Sequence, residues 1–231
     1  MDVSAVLKDV KTSFYESIGD IVFGMEDGTV SIFGLVFGVA ASATNSQTVL
    51  LAGATGAAAA AVSMMAGTYL DVETARGQAR AELARERAEI TQEPQKEAAE
   101  MDARLRVAGF TEQERVTIVG ALRRMPDTWL LAESDLKQLG QVENRNPLVQ
   151  SLWMFVADLF AAAVPVLPFA WLALGPARLT SVGITALLLV FLGVGRAKVA
   201  RTALLPTILE TVGIASAAAA AGFFIGRLVT R

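Results

Sequence analysis

The chain contains no cysteine and no histidine. The first absence excludes disulfides, thiolate metal sites and a cysteine nucleophile. The second removes imidazole, both as a metal ligand and as a base that titrates near neutral pH. Any metal held by this sequence is bound through carboxylates, carbonyls, thioethers and water. That donor set suits magnesium, calcium and manganese and, less selectively, ferrous iron and its neighbours. Positive charge is scarce as well: 20 Lys and Arg against 23 Asp and Glu leave a formal net charge of −3, with no basic surface to hold nucleic acid. There is no nucleophile elbow, P-loop, His-based metal triad or Gly-rich dinucleotide fingerprint, so nothing points to an enzyme.

What the sequence does have is apolar length. Of its 231 residues 53% are hydrophobic, the mean hydropathy is +0.47, and the excess lies in discrete blocks. A hydrocarbon core about 30 Å thick needs about 20 predominantly apolar residues in a helix. Five stretches approach or exceed that: Ile18 to Ala43, Thr48 to Leu70, Leu152 to Leu174, Leu179 to Val194 and Ala203 to Ile225. The expectation is an all-α integral membrane protein with five transmembrane helices and termini on opposite sides of the bilayer. The first block is long, is interrupted by Glu26 and Asp27, and lacks a basic leader, so it does not read as a cleaved signal peptide. Orientation follows Lys and Arg in short loops. Arg196, Lys198 and Arg201 outnumber Arg178, which places the N-terminus and the segment Asp71 to Asn146 in the cytosol; Arg227 and Arg231 count mildly against this.

Four regions follow: residues 1–17, an amphipathic helix; 18–70, spans one and two; 71–146, a cytosolic helical insert; and 147–231, spans three to five. Span one carries Gly34-x-x-x-Gly38 and span five Gly222-x-x-x-Gly226, spacings that let helices approach closely in lipid. Packing within one subunit is the favoured reading over a dimer seam. Only Gly77 weakens the helix from span two as far as Thr91, so one long helix is expected. Within the insert Pro94 starts a second helix and Gly109 ends it, Thr111-x-x-Glu114 is a capping box for a third, and Pro126 opens another.

Two constellations can carry chemistry. In the insert, Glu82, Glu86, Glu89 and Glu93 recur at steps of 4, 3 and 4 along one helical face, and Glu97 and Glu100 repeat the three-residue step on the next helix. If the two helices pack antiparallel, paired carboxylates converge into the oxygen-rich environment that hard divalent cations need. Glu and Arg interleaved as in residues 82–87 also describe a solvated helix with i,i+4 ion pairs. In the membrane, Asp27 interrupts span one, and Met64 lies in span two. An ionisable residue at bilayer depth is costly and marks a functional pathway by default, though Asp27 near an interface can also cap a helix, and methionine in an apolar helix is usually packing. Asp158 and Glu210 are further acids in apolar surroundings, suited either to a proton route or to a bond across to a neighbouring helix.

Asp27-Gly28, Ser63-Met64, Gly67-Thr68-Tyr69-Leu70, Asn146-Pro147 and Val164-Pro165-Val166-Leu167-Pro168, together with the carboxylate pairs, resemble the vacuolar iron transporter family over nearly the whole chain after the first helix. The resemblance implies a homodimeric five-span transporter that exports ferrous iron from the cytosol in exchange for protons, with manganese, zinc or cobalt as further cargo, and a cytosolic helical domain that holds metal ions. The family's translocation Asp matches Asp27 and its second-span Met matches Met64. Its metal-domain glutamates match Glu86, Glu89, Glu97 and Glu100. A glutamate that the family can carry early in span two is Gly56 here, and a Met and a Glu near the end of its soluble domain align with Glu133 and Lys137. Glu133 is thus a fifth candidate ligand, whereas Lys137 cannot bind metal while charged. The family occurs in vacuoles and in prokaryotic plasma membranes, and the short termini favour the latter. The rival reading is a membrane-anchored metal sensor or scaffold whose insert binds metal or a partner.

Overall fold

The structure, a computed structural model, describes residues 11, 13–15, 17–136, 139–143 and 145–229. Most of the amphipathic helix expected over residues 1–17 lies outside them, as does Lys137. The described residues form α1 (Ile18–Ser42), α2 (Ser46–Gln92), α3 (Pro94–Val107), α4 (Glu112–Arg124), α5 (Pro126–Leu136), α6 (Leu139–Glu143), α7 (Pro147–Val166), α8 (Pro168–Trp171), α9 (Leu174–Ala200) and α10 (Leu204–Val229). No strand occurs among them. Five helices, α1, α2, α7, α9 and α10, are long and apolar enough to cross a membrane. Many of their large side chains, including Phe160, Leu187, Phe191, Leu209 and Phe224, face outwards. So much exposed apolar surface suits lipid rather than water. The chain divides into two compact units, one of Met1–Tyr69 with Pro147–Arg231 and one of Leu70–Asn146.

In the first unit α1 is the central helix, packed by α7, α9 and α10. Its glycines set the α1–α10 approach. A Cβ added at Gly38 would lie 2.7 Å from the Gly222 carbonyl oxygen, and one at Gly222 would run into that of Gly34. The two small-residue motifs therefore pack against each other within one chain. A side chain at this crossing forces the backbones apart, and overpacking of that kind costs about 1–3 kcal/mol. We expect Gly222→Leu to lower the melting temperature in detergent clearly. Gly213→Leu, on the same helix with nothing within 4 Å of its added Cβ, serves as the control and leaves the melting temperature near wild type. Ile32, Val36 and Ala40 of α1 meet Val49 and Ala57 of α2 and Ala162 and Val166 of α7 in the buried core.

Two spans differ most from their expected bounds. The third was expected over Leu152 to Leu174, but α7 covers Pro147–Val166. Pro168 has no N–H to extend the ladder and instead opens the separate turn α8, which ends at the extended Leu172. The fourth was expected over Leu179 to Val194, yet α9 runs Leu174–Ala200. Pro176 falls in its first turn, where a missing N–H costs nothing, and Arg201 closes it in the left-handed conformation at φ 54°.

In the second unit α2 ends at Gln92, and Glu93 breaks the helix at φ −125°, ψ 51° before Pro94 starts α3. Gly109 follows α3 at φ +92°, a conformation that glycine adopts without steric cost. Thr111 and Glu114 form the reciprocal capping box of α4. Ile90, Ala98, Met101 and Trp129 make a small core shared by α2, α3 and α5, and Arg115 Nε donates to Asp102 Oδ1 at 2.9 Å to tie α4 to α3.

Candidate metal centres

The turn at Glu93-Pro94 is what turns a charged helix face into a cluster. It brings Glu97, in the first turn of α3, to Glu86 and Glu89 near the end of α2. One carboxylate oxygen from each lies within 4.8 Å of the others. Glu86 and Glu97 are only 4% and 5% exposed. Burial, followed by the charges of Glu100, Glu89 and Glu86, holds the Glu97 carboxyl above its ordinary value. Like charges gathered in a poorly solvated place are costly unless a cation joins them. Arg85 stands 3.9 Å from Glu86 and, as an i,i+4 pair, 3.5 Å from Glu89, so the ion pairing of a charged face and the burial of Glu86 and Glu97 occur together in this segment.

The structure does not gather all the candidates there. Glu100 is exposed and stands 3.9 Å from Arg104. Glu133 on α5 is 2% exposed, but Arg104 Nη1 donates to both its oxygens, at 3.0 and 2.9 Å. The guanidinium meets the Glu133 charge, and those of Glu100 and Glu86 act on it too. Arg104 thus supplies a fixed positive charge beside the acids. Sequence reasoning missed it, although it lies seven residues after Glu97 on the same helix and so on the same face.

In the first unit, Asp27 is half-buried on α1 and lines a cavity of about 480 Å³ together with Glu26, Phe23, Val30 and Arg196. Glu26 is not free to bind cargo. Its Oε1 accepts from Arg196 Nη1 at 2.9 Å and from Thr211 Oγ1 at 2.8 Å, and the other arm of Arg196 holds Glu210. Glu210 therefore bonds across to α9. Met64 is half-buried on α2 and is not among the residues lining the Asp27 cavity. The α2 residues packed onto α1 come earlier, at Gly53 and Gly56, which face Val36 and Leu35. Asp158, on α7, is fully buried against Gly28.

Residues 18–227 match the family model described as the VIT family. The curated protein "Vacuolar iron transporter 2" of Oryza sativa subsp. japonica is 32% identical over 218 residues, covering 93% of this chain and 88% of that protein. "Vacuolar iron transporter 1" of Arabidopsis thaliana is 30% identical over 217 residues, 93% of this chain and 86% of that protein. The protein of the same name from Oryza sativa subsp. japonica is 29% identical over the same shares.

Proposed function

The chain belongs to the VIT family, and on that premise we propose that it carries ferrous iron, with manganese, zinc and cobalt as further divalent cargo, out of the cytosol in exchange for protons. The relatives matched are named as iron transporters. The observation that carries the reading to this chain is the convergence of the half-buried Glu89 with the buried Glu86 and Glu97. Three carboxylates with no imidazole or thiolate make a hard, oxygen-only site, which collects divalent cations and releases them readily. Glu100, on the rim, adds negative charge that draws cations in.

In this account the unit Leu70–Asn146 is the cytosolic insert that loads metal, and α1, α2, α7, α9 and α10 span the bilayer as its five transmembrane helices. Asp27 receives the ion at membrane depth, and Met64 is a second contact further along α2. Glu133 enters the ligand set only by exchanging Arg104 for metal. The chain works as a homodimer. We place it in the plasma membrane of a prokaryote with the insert inside; the vacuolar names of its relatives lend that placement no support.

A sensor or scaffold anchored by the same helices would have no use for the cavity at Asp27. Purified chain in sealed proteoliposomes separates the two. A transporter admits external Mn2+ to a lumenal indicator faster than empty vesicles do, whereas an anchored sensor binds metal outside and leaves the indicator silent.

A further inference from the structure

The acidic residues of the membrane helices differ in one respect that the transport reading leaves unused. Asp20 accepts from Gln150 Nε2 at 3.0 Å, Glu26 is held by Arg196 and Thr211, and Glu210 by Arg196. Asp158 is 0% exposed, and neither of its carboxylate oxygens has a hydrogen-bond partner. An unpaired carboxylate at that depth costs several kcal/mol. A fold can retain such a group when a ligand satisfies it.

Its surroundings identify the ligand. Asp158 lies where α7 crosses α1, and the crossing is close because residue 28 has no side chain. A Cβ there would sit 2.5 Å from Asp158 Oδ1 and 2.6 Å from its backbone oxygen. The carboxylate therefore rests on the backbone of the residue that follows Asp27. Asp158 thus packs against α1 one residue along from Asp27. Among the described residues no cation pairs with Asp158, and Arg196 is engaged by Glu26 and Glu210.

We propose that Asp158 is a metal ligand of the membrane path, supplying the second carboxylate that joins Asp27 around the transported divalent ion. This rests on the transport reading and extends it. A divalent cation beside Asp27 alone leaves one positive charge unbalanced in a low dielectric, where net charge is most expensive. With Asp158 the assembly is neutral. Glu26, Arg196 and Glu210 together carry one net negative charge, but it lies towards the exposed Glu210, where solvent screens it. Two carboxylates also favour hard ions such as Mn2+ and Fe2+ over softer ones.

The test is Asp158→Asn in the full chain, a change that keeps shape and removes charge. In proteoliposomes the Mn2+ concentration for half-maximal transport should rise at least about tenfold, with a melting temperature no lower than that of wild type. A purely structural Asp158 would lower the melting temperature and leave the half-maximal concentration alone. Transport by Asp158→Asn with wild-type concentration dependence overturns the proposal. Should that variant not fold, anomalous diffraction from Mn2+ bound to the wild-type chain decides. An ion within about 2.0–2.6 Å of oxygens from both Asp27 and Asp158 upholds it, and an ion held by Asp27 without Asp158 overturns it. Wild-type chain that moves no metal overturns the transport reading together with this one, so the two failures are distinct.

Discussion

Asp27→Ala is expected to abolish metal movement in proteoliposomes, lowering the rate at least about a hundredfold, or about 3 kcal/mol of lost transition-state stabilisation. A divalent ion crossing the hydrocarbon region must exchange its hydration for ligands of the chain, and Asp27 is the acid that lines the 480 Å³ cavity without serving the Arg196 network. Glu26, one residue away, cannot substitute, because Arg196 and Thr211 occupy it. The fold should survive, since Asp27 is only half-buried. Metal binding by the unit Leu70–Asn146 should survive too, because its acids stand apart in the sequence from α1. Undiminished flux through Asp27→Ala would remove Asp27 from the path.

The second large effect is at the carboxylate cluster, and it has two opposite parts. Glu86→Gln combined with Glu97→Gln should weaken Mn2+ binding by the full chain at least about a hundredfold, because two of three converging oxygens lose their charge. The same change should raise the melting temperature of the metal-free protein by a few degrees, about what 1 kcal/mol does in a small domain, because it relieves repulsion among buried acids. The sign of the pH dependence follows from Glu97, whose carboxyl is held above its ordinary value by burial and by Glu100, Glu89 and Glu86. The folded metal-free chain keeps a proton there that the unfolded chain has given up. Its contribution to stability is therefore complete below the ordinary glutamate value and is lost as pH rises through the raised one. Metal competes with that proton, so wild-type affinity falls as pH drops through this window, and Glu97→Gln flattens the dependence. Calorimetric titration at several pH values reads all of this. Equal affinity in the double variant and wild type would show that the cluster is a charged surface and nothing more.

Much of the architecture was legible in the residues because it depends on local rules. Pro94 and Pro126 open helices, Thr111 and Glu114 cap one, and Gly109 ends one at positive φ. Each of these effects acts within a turn of its own position. The convergence of Glu97 with Glu86 and Glu89 was also readable, since it needs only two helical faces and one break. The pairing of Arg104 with Glu133 was not, because it joins positions 29 residues apart through the docking of α5 on α3. That docking is set by the burial of Trp129, one turn before Glu133. The same holds for Asp158, whose contact with Gly28 arises from a helix crossing that no spacing within α1 or α7 specifies. The shortened third span has a different cause. Hydropathy runs unbroken across residues 164–172, and although α7 carries Pro165 within it, the helix gives way at Val166 and a separate turn opens at Pro168.

The central claim is that metal moves through this chain against protons. Sealed proteoliposomes carrying a lumenal metal indicator and a lumenal pH dye, with the lumen made acidic and Mn2+ added outside, test it most directly. The account predicts that Mn2+ entry and lumenal alkalinisation rise together, and that both slow when the pH gradient is removed. Mn2+ binding to the vesicles with neither signal would contradict it.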